Sequence, residues 1–177
     1  MKKFLPLFTL LMLVSVFAVG EKNYLNYAEY LADKEVIVRQ RPVENYALTD
    51  KVLRQEVIGV ALRLTGLNFR TIEHITLPEL YTCGNLFSDV RQNTPNTWAC
   101  RSIETAVKHG IITGKNREFR PEADITRAEA IAMMLSAVKL MPTVDEGEEW
   151  TEVIMQASHN LGILTEKDLD PDEKITR

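Results

Sequence analysis

The chain has 177 residues, of which 45% are hydrophobic and 26% are charged, and its formal net charge is −4. This length and composition are enough to bury the core of one ordinary domain. The mild acidity, without a basic cluster, argues against nucleic acid as a partner.

The first 20 residues predict a secretory signal peptide. Lys2 and Lys3 precede an apolar run that ends in the small residues Ala18 and Gly20, which is the usual order of such a peptide. An uncleaved anchor is the alternative, but the run is shorter than the roughly 20 residues of a membrane span. We therefore expect an exported chain that has no membrane span after cleavage.

Residues 21–72 predict a first unit of two short helices. Tyr27 to Ala32 is the first candidate helix, and Val36-Ile37 is a buried pair behind it. The second helix has an apolar stripe at helical spacing, formed by Val57, Ala61 and Leu64. Residues 73–86 predict a packed connector to the next unit.

The two cysteines, Cys83 and Cys100, allow one disulfide. An even number of cysteines in an exported protein favours a bridge, which would stabilise the fold by about 3 kcal/mol in the chain-entropy model. Two buried free thiols are the alternative. No metal site is expected, because no further cysteine or histidine has ligand spacing.

Residues 87–140 predict a second helix-loop-helix unit with clear boundaries. Trp98 opens a helix that Gly110 ends. Thr126 and Glu129 are spaced as a capping box that opens the next helix, which ends before Pro142. Thr126 and Glu129 are therefore predicted to be structural caps.

Residues 148–177 predict a third, truncated unit. Trp150 corresponds to Trp98, and Gly162 corresponds to Gly110. The sequence stops at Arg177, where the second helix of the unit would begin. We expect the chain to be a fragment of a longer protein.

One arginine position recurs in all three units. A shift of 73 residues places Arg127 on Arg54, and a shift of 50 places it on Arg177. The first shift also places Thr126 on Leu53, which cannot cap a helix and so costs about 1 kcal/mol.

The ordered motifs of the second unit resemble those of the S-layer homology domain. They are Phe87-Ser88-Asp89-Val90, Trp98-Ala99, Gly110 to Gly114, Phe119-Arg120-Pro121 and Ile125-Thr126-Arg127-Ala128-Glu129. The resemblance extends over nearly all of the chain after the signal peptide, with a divergent first repeat and a truncated third repeat.

This resemblance implies an all-α fold of helix-loop-helix repeats packed as a pseudo-threefold bundle. It implies a binding module that needs no cofactor and is not an enzyme. Its role would be to anchor an exported protein to the cell wall by non-covalent binding of anionic secondary cell-wall polysaccharide, often pyruvylated. The implied ligand-binding residues beside the grooves between units are Arg127, Arg54, Arg177, Asp89, Trp98 and Trp150.

The residue types at these positions allow two interpretations each. Arg127 at a helix start could bind a carboxylate together with backbone N–H groups, or it could simply pair with a glutamate. Trp98 and Trp150 could contact sugar, or they could be partly buried core. Asp89 could order a loop as well as contact a ligand.

No sequence motif points to catalysis. The chain lacks a nucleophile elbow, a phosphate loop and a zinc-protease helix. The alternative function is a secreted helical module for protein–protein interaction or self-association.

Overall fold

The computed structural model describes residues 24–66, 83–166 and 169–177. The predicted signal peptide, residues 1–20, lies outside the described residues, as does most of the predicted connector. The described part is helical and contains no strand beyond isolated β-bridges, which confirms the all-α prediction. Its helices are α1 (Tyr24–Asp33), a 3₁₀ helix (Val43–Tyr46), α2 (Arg54–Leu64), α3 (Ala99–Lys108), α4 (Arg127–Ala137) and α5 (Trp150–Asn160).

The start of α4 has the predicted capping box. Thr126 Oγ1 accepts a hydrogen bond from the Glu129 amide at 3.2 Å, and the Glu129 carboxylate accepts one from the Thr126 amide at 3.0 Å. At the start of α2, Leu53 offers no side-chain acceptor, while Glu56 still accepts from the Leu53 amide at 2.9 Å. The first unit therefore lacks the side-chain cap, as expected from Leu53, but it keeps the half of the box that Glu56 forms.

The first helix of each unit ends in the same turn. One residue takes a left-handed conformation, and the amide after it donates back into the helix. The left-handed residues are Glu35 (φ 60°), Gly110 (φ 68°) and Gly162 (φ 69°). The amides that follow are those of Val36, Ile111 and Ile163, and each turn directs that apolar side chain into the core.

The core lies where α2 packs against α3 and α4, and where α4 packs against α5. Each of these helices contributes an isoleucine that is almost fully buried: Ile58, Ile103, Ile131 and Ile154. The predicted apolar stripe of α2, formed by Val57, Ala61 and Leu64, is also buried.

Cys83 and Cys100 form a disulfide, as predicted, across a sequence separation of 17 residues. Beside it, the Glu104 carboxylate accepts hydrogen bonds from the amides of Gly84 and Leu86 at 2.7 and 3.0 Å. The bridge and this carboxylate together hold the segment before Phe87 against α3.

A ring of backbone hydrogen bonds joins the three units in cyclic order. Ile125 donates to Val52 at 3.1 Å, Val52 donates to Ile175 at 3.1 Å, and Ile175 donates to Ile125 at 3.3 Å. These three residues occupy equivalent positions in the three units that the sequence predicts. We call this feature the central ring.

Three antiparallel bridges surround the central ring and follow the same order. They are Leu53–Asp124, Thr126–Lys174 and Thr176–Lys51. Leu53, Thr126 and Thr176 are equivalent in the predicted units. Their bridge partners Asp124, Lys174 and Lys51 are likewise equivalent to one another. The pseudo-threefold packing of whole units stays a prediction, because the ring concerns only the segments that precede the second helices.

None of the helices in the described part of the chain is long and apolar enough to cross a membrane.

Candidate ligand-binding grooves

Each of the three recurrent arginines pairs with a glutamate from another unit. Arg54 Nη1 lies 2.7 Å from Glu129 Oε1. Arg127 pairs with Glu173, and Arg177 pairs with Glu56. Glu56 and Glu129 therefore have two roles. Each accepts a hydrogen bond at the start of its own helix, α2 or α4, and each forms an ion pair with an arginine of another unit.

The three arginines differ in accessibility. The side chains of Arg54, Arg127 and Arg177 are 13%, 4% and 35% exposed. Arg54 Nε also donates to the Phe119 carbonyl at 3.0 Å, and its guanidinium lies over the Phe119 ring. Arg177 is the most accessible of the three to a ligand.

The first amides of α2 and α4 are not available to a carboxylate, which is against one of the two interpretations of Arg127. The amides of Arg54 and Arg127 donate to the carbonyls of Ala123 and Glu173 at 3.0 and 2.9 Å. The next amide in each helix donates to Pro121 or Pro171. These helix starts are already saturated by a neighbouring unit, so an anion would have to bind to side chains.

The charge of Glu129 is stabilised at the junction between units. Burial alone would raise the pKa of Glu129, but the hydrogen bond from the Thr126 amide and the charge of Arg54 together hold it below the usual value. Burial lowers the pKa of Arg54, and the carboxylate of Glu129 opposes that effect. The pair is therefore ionic at neutral pH.

Asp89 orders the loop before α4. Its carboxylate accepts hydrogen bonds from the amides of Phe119 and Arg120 at 2.9 and 2.6 Å. Arg120 is in a left-handed conformation (φ 59°), and Asp89 helps to hold that turn. Its predicted contact with a ligand stays a prediction.

An open groove with a volume of about 990 Å³ lies between α2 and α3. We call it the large groove. Its lining includes Glu56 of the first unit, Trp98 of the second and Arg177 of the third. Neutral polar side chains also line it, among them Asn93, Thr97 and Ser102.

The second groove, with a volume of about 210 Å³, lies beside α4. We call it the small groove. Its lining includes Arg54 of the first unit, Glu129 of the second and Trp150 of the third. Both grooves thus combine an arginine, a glutamate and a tryptophan at equivalent repeat positions, each from a different unit.

Both tryptophans are open to solvent. Trp98 is 42% exposed and Trp150 is 40% exposed. A half-exposed indole beside polar groups can stack on an apolar face of a ligand while its N–H stays available. Arg127 lines neither groove.

Two further arginines of the large groove were missed by sequence reasoning. Arg63 lies on α2 and Arg101 lies on α3. The signal for Arg101 was present, because it follows Trp98 by three residues and so shares its side of the helix. The cluster of Cys83, Cys100 and Glu104 has ligand types suited to a metal, but its two sulfurs are joined in the disulfide.

These features define a helical protein with two open grooves, of which the large one has the size typical of a ligand site. Residues 86–131 match the S-layer homology domain. An S-layer homology domain is a binding module of the cell surface, and the match supports surface attachment in general terms.

Two curated proteins are similar to the chain. An amylopullulanase from Thermoanaerobacterium thermosulfurigenes is 28% identical over 118 residues, which cover 67% of this chain and 6% of that protein. Exoglucanase XynX from Acetivibrio thermocellus is 24% identical over 149 residues, which cover 77% of this chain and 12% of that protein. The match thus involves a small part of each relative. No solved structure matches the chain.

Proposed function

We propose that the chain attaches an exported protein to the cell wall by non-covalent binding of anionic, pyruvylated wall polysaccharide in the grooves between its units. The observation that carries the proposal is the recurrence of arginine, glutamate and tryptophan in both grooves. The family match to residues 86–131 supports it independently.

The chemistry of the large groove suits an acidic sugar. The exposed indole of Trp98 offers a flat surface for a sugar ring, and neutral polar side chains offer partners for hydroxyl groups. A guanidinium can hold a carboxylate with two parallel hydrogen bonds. Arg177 in the large groove and Arg54 in the small groove keep their proposed roles. Arg127 lines neither groove and pairs with Glu173, so its proposed role is to join two units rather than to contact the ligand.

The proposed organisation has three repeats, at residues 21–72, 87–140 and 148–177. The proposed signal peptide at residues 1–20 would deliver the chain to the outer surface, where the grooves meet the wall.

Sedimentation with purified cell walls tests this function. Wild-type protein should sediment with the walls, and Trp98→Ala or Arg177→Ala should weaken binding about tenfold or more, since tenfold corresponds to about 1.4 kcal/mol. Arg117→Ala is a matched control, because Arg117 is exposed and lines neither groove. Wild-type protein that stays in the supernatant would contradict the proposal.

A self-association module is the second candidate function. Three large apolar side chains after α4 are exposed, namely Leu140, Met141 and Val144, and exposed apolar groups of this kind mark interaction surfaces. Light scattering on the same samples separates the two functions. A mass that rises with concentration, without wall binding, would favour self-association.

A further inference from the structure

We infer that the two grooves are not equivalent: the anionic ligand binds in the large groove, and Arg101 is the residue that selects for its charge. This inference rests on the proposed function, which it makes specific to one groove and one side chain.

The first difference between the grooves is their size. Gly59 and Val60 of α2 line the large groove, whereas Ala132 and Met133 occupy the equivalent positions of α4 in the small groove. The smaller side chains leave more open space, and the volumes are about 990 and 210 Å³. Only the large groove is in the range typical of ligand sites, roughly 300–1,000 Å³.

The second difference is charge. Among the described residues, three arginines and one glutamate line the large groove, whereas one arginine and two glutamates line the small groove. The reversal arises at three repeat positions, where Arg63 corresponds to Ser136, Arg101 corresponds to Val153, and Asn45 corresponds to Glu118. An anion is therefore attracted to the large groove and repelled from the small one.

Arg101 also differs from the recurrent arginines in its surroundings. Arg54, Arg127 and Arg177 each have a glutamate partner, and Arg63 Nη1 donates to the Gly59 carbonyl. Within the described ranges, the guanidinium of Arg101 has no hydrogen-bond or ion-pair partner, and the residue is exposed. It can bind an incoming carboxylate without first breaking a bond within the protein.

Arg101 lies at the right place to act together with Trp98. The two residues are three positions apart at the start of α3, so their side chains share one side of the helix. A sugar stacked on the indole would bring an acidic substituent within reach of the guanidinium. The planar fork would select a carboxylate over a hydroxyl group.

The two tryptophans allow a direct test of which groove is occupied. The chain has only Trp98 and Trp150, one in each groove, so each single-tryptophan variant reports on one groove. Wall polysaccharide released from purified walls should change the fluorescence of Trp150→Phe, in which Trp98 remains. It should leave the fluorescence of Trp98→Phe unchanged, with wall sedimentation measured for both variants.

The charge contact is tested with Arg101→Gln. This variant should bind the released polysaccharide about tenfold more weakly than wild type, and Arg101→Lys should lie between the two because it keeps the charge without the fork. Arg117→Gln, the matched change outside both grooves, should bind as wild type. After carboxyl reduction of the polysaccharide, wild type and Arg101→Gln should bind it equally weakly. Circular dichroism should show the same helix content in all variants.

Distinct outcomes separate this inference from the proposed function. If wild type binds the polysaccharide but Arg101→Gln binds equally well, or if Trp150 reports the binding, the inference is overturned and wall attachment stands. If wild type binds neither walls nor released polysaccharide, both proposals are overturned.

Discussion

At the scale of a single residue, Glu129 takes part in both a local and a long-range interaction. Its carboxylate accepts the Thr126 amide within its own unit, and it pairs with Arg54 of the first unit. Because both partners favour the charged form, the pKa of Glu129 lies below its ordinary value. Capping of α4 and contact between units are thereby coupled.

Glu129→Gln should lower the free energy of unfolding by about 1 kcal/mol at pH 7, because hydrogen bonds to a charged group are stronger than neutral ones. A lowered folded-state pKa contributes stability above the unfolded-state pKa of about 4.3, and this stability is lost as pH falls below it. The difference between wild type and Glu129→Gln should therefore shrink between pH 7 and pH 3 in urea unfolding.

Glu146→Gln is the control for that change, since Glu146 lies in an exposed loop and should show no such difference. A difference between wild type and Glu129→Gln that is the same at both pH values would contradict the coupling.

The sequence predicted local roles of residues better than their long-range partners. Thr126 and Glu129 were identifiable as caps because a capping box spans only four positions. The pairing of Arg54 with Glu129 was not predictable, because it depends on the packing of residues that are 75 positions apart in the chain. For the same reason, the saturation of the helix-start amides was missed.

At the scale of the elements, the left-handed turn after α3 sets the direction of the chain into the core. Gly110 has φ 68° and sits where other residues are strained. A Cβ there would have free space, with only Lys139 Nζ at 4.0 Å. The cost of substitution at this position is therefore conformational.

Gly110→Ala should lower the free energy of unfolding by about 1 kcal/mol, the usual penalty of a left-handed residue with a side chain. The matched change Gly59→Ala, inside α2, should raise it by roughly 0.5–1 kcal/mol, because alanine favours the helix. A Cβ at Gly59 would meet Arg63 Nη1 at an ordinary 3.5 Å. Equal effects of the two changes in denaturant unfolding would contradict this account.

The helices were predictable to within a few residues, because glycine and helix-capping residues mark where they end and begin. The predicted helix from Tyr27 to Ala32 is α1, Tyr24–Asp33, and the helix opened by Trp98 is α3. The central ring was not predictable, because Val52 and Ile175 carry no local pattern that indicates pairing. A sequence repeat shows which residues are equivalent, but it does not show which of these residues contact each other in the fold.

At the scale of the whole molecule, the disulfide ties the segment before the second unit to α3. The bridge joins Cys83 and Cys100 across 17 residues. A loop of this size removes enough entropy from the unfolded chain to stabilise the fold by about 3 kcal/mol in the chain-entropy model.

Reduction with dithiothreitol should therefore lower Tm by roughly 6–12 °C, using about 2–4 °C per kcal/mol for a chain of this size. Calorimetry with and without the reductant measures the shift. The double variant Cys83→Ala/Cys100→Ala should melt near the reduced protein and should not respond to the reductant. An unchanged Tm of wild type on reduction would contradict the expected contribution.

The central ring changes how such a repeat protein can come apart. In an open array, a terminal repeat contacts one neighbour and can fray while the others persist. Here the first unit is hydrogen-bonded to the third as well as to the second, so opening any unit breaks two junctions at once. Mechanical load applied to one predicted unit is thereby shared with both others, and the described part of the chain should unfold in a single cooperative step.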